Sequence, residues 1–383
     1  MQKAFVRGIG QIKVTEHWDK SLRDMAGDAA IIALEDAGIS QVDGIFVGNM
    51  LSGPATKQIH LGTLIADWLG ITNAESINIE AACASGSAAF RNAVLAISSG
   101  QMRVALVIGV EKMTDSPSAE ITSSLATAAD ADLEVDMGLS FVALNALIMQ
   151  RYMHEYQWET KDFGAFSINA HANAVFNPFA RFRKAINQKI FDDSPAICDP
   201  INLMDASSIG DGAAAIILTS ADTLSTSNGK ISVVGSSSST DTISLQNRGD
   251  PLWLSAAERS SKSAFQQAGL VPSDIGVFEY HDAFSIMAAL SLEACGFCER
   301  GQGPRLANEG EISINGSIPV ATRGGLKARG HPVGATGIYQ LVEVVQQLRG
   351  VCGETQVLRN DYGMTQNIGG SGSNIITHIL KRE

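Results

Sequence analysis

The sequence predicts an α/β fold made by internal duplication, with helices and buried strands in layers and an extra segment inserted into the first copy. Three observations predict it. Apolar runs of strand length alternate with helix-length segments, one helix–glycine–turn–strand order occurs twice, and a stretch of the first half has no counterpart in the second.

The first residues, Met1-Gln2-Lys3-Ala4-Phe5-Val6, read as a strand and lack the charged start and long apolar run of a secretion signal. Residues 31–48 (IIALEDAGISQVDGIFVG) read as a helix closed by Gly38, a turn and a buried strand. Residues 264–280 (AFQQAGLVPSDIGVFEY) repeat that order: Ala268-Gly269-Leu270 matches Ala37-Gly38-Ile39, and Asp274 matches Asp43. Next, the strand SINIEAA leads into Cys83-Ala84-Ser85-Gly86, a helix to about Gly100 and the strand VALVIG. Its counterpart starts at Gly334-Ala335-Thr336-Gly337, with a helix to Gly350 and a strand expected near QVLRN. Last, Gly210-Asp211-Gly212 precedes AAAIILTS as Gly369-Gly370-Ser371-Gly372 precedes NIITHIL. Three matches in the same order are a poor fit to chance.

The repeats divide the chain into a first copy over residues 1–226 and a second over 227–383. Residues 113–204 interrupt the first as an inserted subdomain, rich in helix signals such as Ser140 to Met153. This subdomain holds a basic cluster, Arg181, Arg183 and Lys184. Two readings stay open for the cluster, a solvated helix face or a contact with the phosphates of a cofactor.

Composition narrows the function. In 383 residues, 45% hydrophobic content, 37 glycines and only 18% charged residues describe a compact enzyme better than a disordered scaffold. A net charge of −12 argues against general nucleic-acid or membrane-surface binding, both of which need a basic face. No run approaches the roughly 18 consecutive apolar residues of a membrane helix. Five scattered cysteines fit a reducing cytoplasm better than a disulfide framework. Cys295-Gly296-Phe297-Cys298 has CxxC spacing, but a structural zinc site needs four ligands, so no metal is expected.

Cys83 is the candidate nucleophile. It stands where an apolar strand turns into a helix of small residues, CASGSAAF. A helix N-terminus favours the thiolate, which predicts a lowered thiol pKa, and its N–H groups can hold an oxyanion. If the halves pack about a pseudo-two-fold axis, the turn carrying His331, in Gly330-His331-Pro332, meets the Cys83 turn. His331 then acts as a general base or as an imidazolium partner of the thiolate. His281, in Tyr280-His281-Asp282-Ala283-Phe284, follows its strand as Cys83 follows its own, and is expected at the same interface as an oxyanion donor or proton shuttle. Asp282 either orients it or caps the next helix. His17, His154, His171 and His378 have no such context, and His60 is ambiguous.

These motifs resemble the thiolase superfamily. GGLKARGHPVGATG (324–337) is similar to the family's GHPxGxxG signature, EAACASG (80–86) to its nucleophile loop, and HDAF (281–284) to its NEAF/HDxF segment. Within the family, the HDAF form is most like archaeal acetoacetyl-CoA thiolases and sterol-carrier-protein-type thiolases. The resemblance implies a duplicated, five-layered αβαβα fold with an inserted loop subdomain. It implies an acyl group on Cys83, activation by His331, and thioester oxygen binding by His281, with Gly369 and the Cys83 N–H as a second oxyanion site. The implied reaction condenses two acetyl-CoA to acetoacetyl-CoA, reversibly. Coenzyme A thioesters are then substrates, with no permanent cofactor.

The usual second cysteine of a C-terminal CxG motif is replaced by Asn367, a candidate oxyanion or substrate contact that is no base at neutral pH. Either His281 or His331 takes over proton abstraction, or the usual condensation is slow. Ala321-Thr322-Arg323 also departs from the family's Asn-Pro-Ser, with Arg323 expected to alter the entrance. The archaeal resemblance implies a cytoplasmic dimer or dimer of dimers, associated with hydroxymethylglutaryl-CoA synthase and a small zinc-ribbon/OB-fold protein. Two alternatives are a sterol-carrier-type thiolase or lyase acting on larger acyl-CoA, and a non-catalytic CoA-binding scaffold.

Overall fold

The computed structural model describes residues 2–221 and 230–383. The boundary between repeats expected at 226/227 lies outside the described residues. In chain order the first half runs β1 (Ala4–Gln11), α1 (Leu22–Ala37), β2 (Gly44–Gly48), α2 (Leu61–Trp68), β3 (Glu75–Ile79), α3 (Ser85–Ser98) and β4 (Val104–Glu111). After β4 come α4 (Ser118–Ala126), α5 (Phe141–Tyr156), α6 (Gly164–Ala174), α7 (Gln188–Asp192) and a small ribbon of β5 (Ala196–Cys198) and β6 (Ile201–Asn202). The half closes with β7 (Gly212–Ser220). The second half runs β8 (Ile231–Thr240), α8 (Ser255–Ala268), β9 (Val277–Glu279), α9 (Ser285–Ala294), α10 (Gly303–Asn308), α11 (Thr336–Arg349), β10 (Tyr362–Gly369) and β11 (Asn374–Arg382).

Strand order exposes the duplication. The first half orders β3-β2-β4-β7-β1 and the second β9-β10-β11-β8, with the two joined through β1 and β8. That junction is only two pairs long, Phe5↔Ser232 and Val6↔Ile231. The place beside β9 that corresponds to β3 is taken by Val320, in a parallel bridge to Phe278. In each half a parallel pairing at one end gives way to antiparallel strands. The strand expected near QVLRN is instead β10, a few residues later. Gln356 spends its side chain on the Gln347 and Val357 carbonyls, which makes that stretch a loop.

Alternation along the strands produces the layers. On β7, Ala213, Ala215 and Ile217 pack beneath α1, while Ala214, Ile216 and Leu218 face α3 and α11 on the other side. Successive side chains of a strand point to opposite faces, so an unbroken apolar run means a sheet buried on both. α1 and α2 cover one sheet, α3 and α11 fill the space between sheets, and α8 covers the other. The five layers follow.

α1 is held by a Ser21–Asp24 capping box and ends at Gly38 with φ 64°; α8 ends alike at Gly269 with φ 68°. α3 and α11 meet through glycines near their N-termini. A methyl group on Gly86 would lie 2.9 Å from the Gly334 carbonyl oxygen, and one on Gly337 would lie 2.6 Å from the Ser87 nitrogen and nearer still to Asn367 Oδ1. Gly337→Ala is therefore expected to destabilise the protein by about 1–3 kcal/mol through overpacking, checked by its denaturant midpoint.

Between β4 and β7 the chain spends a hundred residues on α4–α7 and the ribbon, whereas β10 and β11 are joined by a turn. α5 is capped by Ser140, whose hydroxyl oxygen accepts from Ala143 N. No helix among the described residues is long and apolar enough to cross a membrane.

Candidate active site

The bend from β3 into α3 is tied by one side chain. Ser85 Oγ accepts from Ala81 N at 2.9 Å and donates to the Ala82 carbonyl at 2.6 Å. This holds Ala82 at φ 50°, a left-handed conformation that a non-glycine residue rarely adopts, and turns Cys83 out of the strand line. The second half delivers its groups at matching places. His281 follows β9, and His331 is set between Gly330 (φ 111°) and Pro332, with its N–H bonded to the Ser208 carbonyl at 2.8 Å.

The three side chains converge. One ligand-type atom from each of Cys83, His281 and His331 lies within 4.8 Å of the others, and the two imidazoles stand edge to face with centroids 5.1 Å apart. Among the described residues this is the one group of three His, Cys, Asp or Glu side chains that could close on a metal ion. They line a cavity of about 420 Å³ whose other walls include Leu125, Phe141, Val142, Leu203 and Met287. Most of those walls come from the segment between β4 and β7, which therefore shapes the cavity over Cys83.

Each imidazole is oriented from behind. His331 Nδ1 meets Thr336 Oγ1 at 2.7 Å, and His281 Nδ1 lies 3.0 Å from Asn367 Nδ2. With the Asn367 amide nitrogen donating, His281 Nδ1 accepts and the ring proton sits on Nε2. His281 is thereby set as a hydrogen-bond donor, whereas His331 Nδ1 faces a hydroxyl that can donate or accept.

Burial dominates the electrostatics. The Cys83 thiol is pushed up to about 12, first by desolvation and then by the nearby charge of Glu111. His281 is pushed down to about 3 by burial and the Arg329 charge, and His331 falls well below its usual value through burial, His281 and Arg329. A lowered thiol pKa from the helix terminus was expected; the loss of water around the sulfur outweighs it. These shifts disfavour a resting thiolate–imidazolium pair on both sides.

Residues 5–222 match the family model of the thiolase N-terminal domain, and residues 237–382 that of the thiolase C-terminal domain-like region. The chain belongs to the thiolase family. The acetyl-CoA acetyltransferase of Methanothermobacter thermautotrophicus is 42% identical to it over 385 aligned residues, covering 100% of both chains. The acetyl-CoA acetyltransferase of Methanocaldococcus jannaschii is 38% identical over 99% of both chains. Among solved structures, the Ltp2–ChsH2(DUF35) aldolase superposes with a TM-score of 0.87 over 99% of this chain and 98% of that one; at 22% identity it shows the fold.

In this thiolase several residues stand elsewhere than the sequence suggested. Asn367 is buried behind His281 and holds its Nδ1; it is not a wall of the cavity. Gly369 pairs with Asn374 and lies so near the nucleophile bend that a methyl group on it would be 2.6 Å from the Ala81 carbonyl, while its neighbour Gly370 lines the cavity. Asp282 neither orients His281 nor caps α9: its Oδ1 accepts from Leu326 N at 2.7 Å, tying the HDAF segment to the loop before His331. Arg323 does not reach the entrance. It is buried, with Nη1 on Thr355 Oγ1 at 3.1 Å and Nη2 on Asn177 Oδ1 at 3.3 Å.

The basic cluster is dispersed. Arg181 pairs with Glu16 at 2.8 Å beside a surface hollow that shares Thr122 and Ile209 with the Cys83 cavity, and Arg183 bonds the Val175 carbonyl. Lys184 borders a cavity of about 290 Å³ that shares Leu203, Ala206 and Ser207 with the catalytic one. The CxxC thiols are both pushed up to about 12 by burial, and Cys295 Sγ accepts from Gln366 Nε2 at 2.8 Å.

Of the other histidines, His17 Nε2 lies 2.8 Å from the Lys13 carbonyl, and His60 holds φ 66° with Nε2 on Thr63 Oγ1. His171 meets the Lys184 carbonyl, and buried His378 lies between Ser236 Oγ and the Ser87 carbonyl. None of these lines the cavity over Cys83.

One residue beside Cys83 was missed. Glu111, wholly buried at the end of β4, lies close enough to Cys83 to affect its charge. Its signal in the sequence is a carboxylate closing the otherwise apolar strand VALVIGVE.

Proposed function

We propose that this thiolase is an acetyl-CoA acetyltransferase that joins two acetyl-CoA into acetoacetyl-CoA through an acetyl group carried on Cys83. The convergence of Cys83, His281 and His331 at the cavity floor carries the reading. The full-length likeness to two archaeal acetyl-CoA acetyltransferases supports the choice of acyl group.

In the first half-reaction His331 takes the Cys83 proton as sulfur attacks the thioester carbonyl, and His281 Nε2–H receives the growing negative charge on oxygen. Collapse expels the CoA thiolate, which takes the proton back from His331. A neutral His331 is then free to remove an α-proton from the second acetyl-CoA. The carbanion attacks the acetyl carbonyl on Cys83, and the departing thiolate recovers its proton from His331. His281 is committed to donation by Asn367, so one base serves both halves.

A larger acyl group is the second reading, favoured by an apolar cavity roomier than an acetyl group needs. Turnover of acetyl-, butyryl- and long or branched acyl-CoA decides between them. The acetyl reading expects the highest kcat/KM for acetyl-CoA in condensation and for acetoacetyl-CoA in thiolysis. Turnover confined to the larger thioesters contradicts it.

β3 is the outer strand of its sheet, with Ile77 53% exposed, which supports a homodimer formed edge to edge. The likeness to an aldolase named as a two-component assembly supports an associated partner chain. A cytoplasmic complex with hydroxymethylglutaryl-CoA synthase and a small zinc-ribbon/OB-fold protein, feeding mevalonate synthesis, is the assembly we propose.

A further inference from the structure

We propose that Glu111 is a positioning residue of this reaction: its carboxylate ties the Met50–Leu51 turn of the first half to the Val333–Gly334 turn of the second, and so fixes the gap in which His331 faces Cys83. The proposal rests on Cys83 being the acyl acceptor.

The carboxylate is saturated with donors from both halves. Oε1 accepts from Asn49 Nδ2 at 2.8 Å and Leu51 N at 3.0 Å, and Oε2 from Met50 N and Gly334 N, each at 3.0 Å. Asn49 is locked in turn, donating to the Val110 carbonyl at 2.8 Å and accepting from Ser52 N at 2.9 Å. The two turns are at closest approach: a methyl group on Gly334 would lie 2.6 Å from Met50 N. Met50 and Val333 line the cavity beside Cys83 and His331, so a change in the clamp moves its walls.

Among the described residues no cation pairs with this carboxylate in the clamp. Lys112, just past the end of β4, turns instead to Asp211, 2.8 Å away. The turns packed on Glu111, residues 49–51 and 333–334, carry no titratable side chain, and the group that feels its charge is Cys83. A carboxylate there hinders ionisation of the nucleophile, which is unhelpful chemistry unless the geometry it enforces matters more. The two effects therefore separate by experiment.

The test uses the full chain carrying Glu111→Gln or Glu111→Asp. CoA release from acetyl-CoA in a single turnover measures acylation, and the pH profile of Cys83 alkylation by iodoacetamide measures thiol ionisation. Glutamine keeps the size but presents an NH₂ to N–H donors and removes the charge. Acylation is expected to fall by roughly 10²-fold, the scale of a misplaced wall, while the alkylation profile moves to lower pH. Aspartate keeps the charge but shortens the reach. It is expected to slow acylation while leaving the alkylation profile near that of the unaltered protein.

Acylation within about twofold of the unaltered protein in both variants overturns the proposal. So does a glutamine variant that is slow but has an unmoved alkylation profile, because general loosening of the fold would then suffice. Failure of the acyl-acceptor reading is seen separately, as an unaltered protein that takes up no acetyl group.

Discussion

Protein carrying Cys83→Ala is expected to release no CoA from acetyl-CoA and to lose activity by roughly 10⁴- to 10⁶-fold, the range for deleting a nucleophile that works as a unit with its base. The geometry makes the loss specific. Among the described residues Cys83 is the one cysteine grouped within 4.8 Å of the two imidazoles, and Cys198, which also lines the cavity, is not part of that group. Serine at position 83 is no substitute. Its hydroxyl is a much weaker acid than a thiol, and the burial and Glu111 charge that push the thiol up to about 12 would act on it too. Stopped assays of CoA release check this, with thermal melts to show that the fold persists.

His331→Ala and His281→Ala are expected to fail differently. Without His331 nothing accepts the Cys83 proton or the α-proton, so acylation and condensation should both fall by roughly 10²–10⁴-fold, the worth of a positioned general base. Without His281 the base survives and an oxyanion donor is lost, which costs roughly 10²–10³-fold. Because both imidazoles are held neutral, neither variant should lower the pH at which Cys83 is alkylated, and alkylation of the unaltered protein should keep rising well above pH 8. Rapid-quench measurement of each half-reaction distinguishes them. Loss of condensation alone in His281→Ala would assign the α-proton to His281 and contradict the division of roles set by Asn367.

Much of this site is legible in sequence because it is built by symmetry. Matching the Cys83 bend with the glycine-rich turn at 330–337 brings a thiol and a histidine together without any knowledge of distance, and the same reasoning carries His281 there. The alternation on β7 is equally readable, since one apolar run must be covered on both faces.

What escapes is whatever depends on where water is excluded. The helix terminus at Cys83 is a local feature and argues for a low thiol pKa; desolvation is collective, and it reverses the sign. Arg323 looks like an entrance residue beside a glycine-rich loop, yet folding turns it inward to Thr355 and Asn177. Asn367 reads as a lost base because its chemistry is visible, whereas its task of fixing the His281 tautomer requires a neighbour 86 positions away. Glu111 is invisible for the same reason, with partners scattered over residues 49–51 and 334.

The central claim is that Cys83, driven by a neutral His331, accepts an acetyl group from acetyl-CoA. Intact-mass analysis of protein quenched soon after mixing with acetyl-CoA, followed by peptide mapping, tests it most directly. The structure predicts one acetyl group per chain, on the peptide containing Cys83, and its absence in His331→Ala at the same time point. No acetyl group, or one placed on Cys198 or another residue, would contradict it.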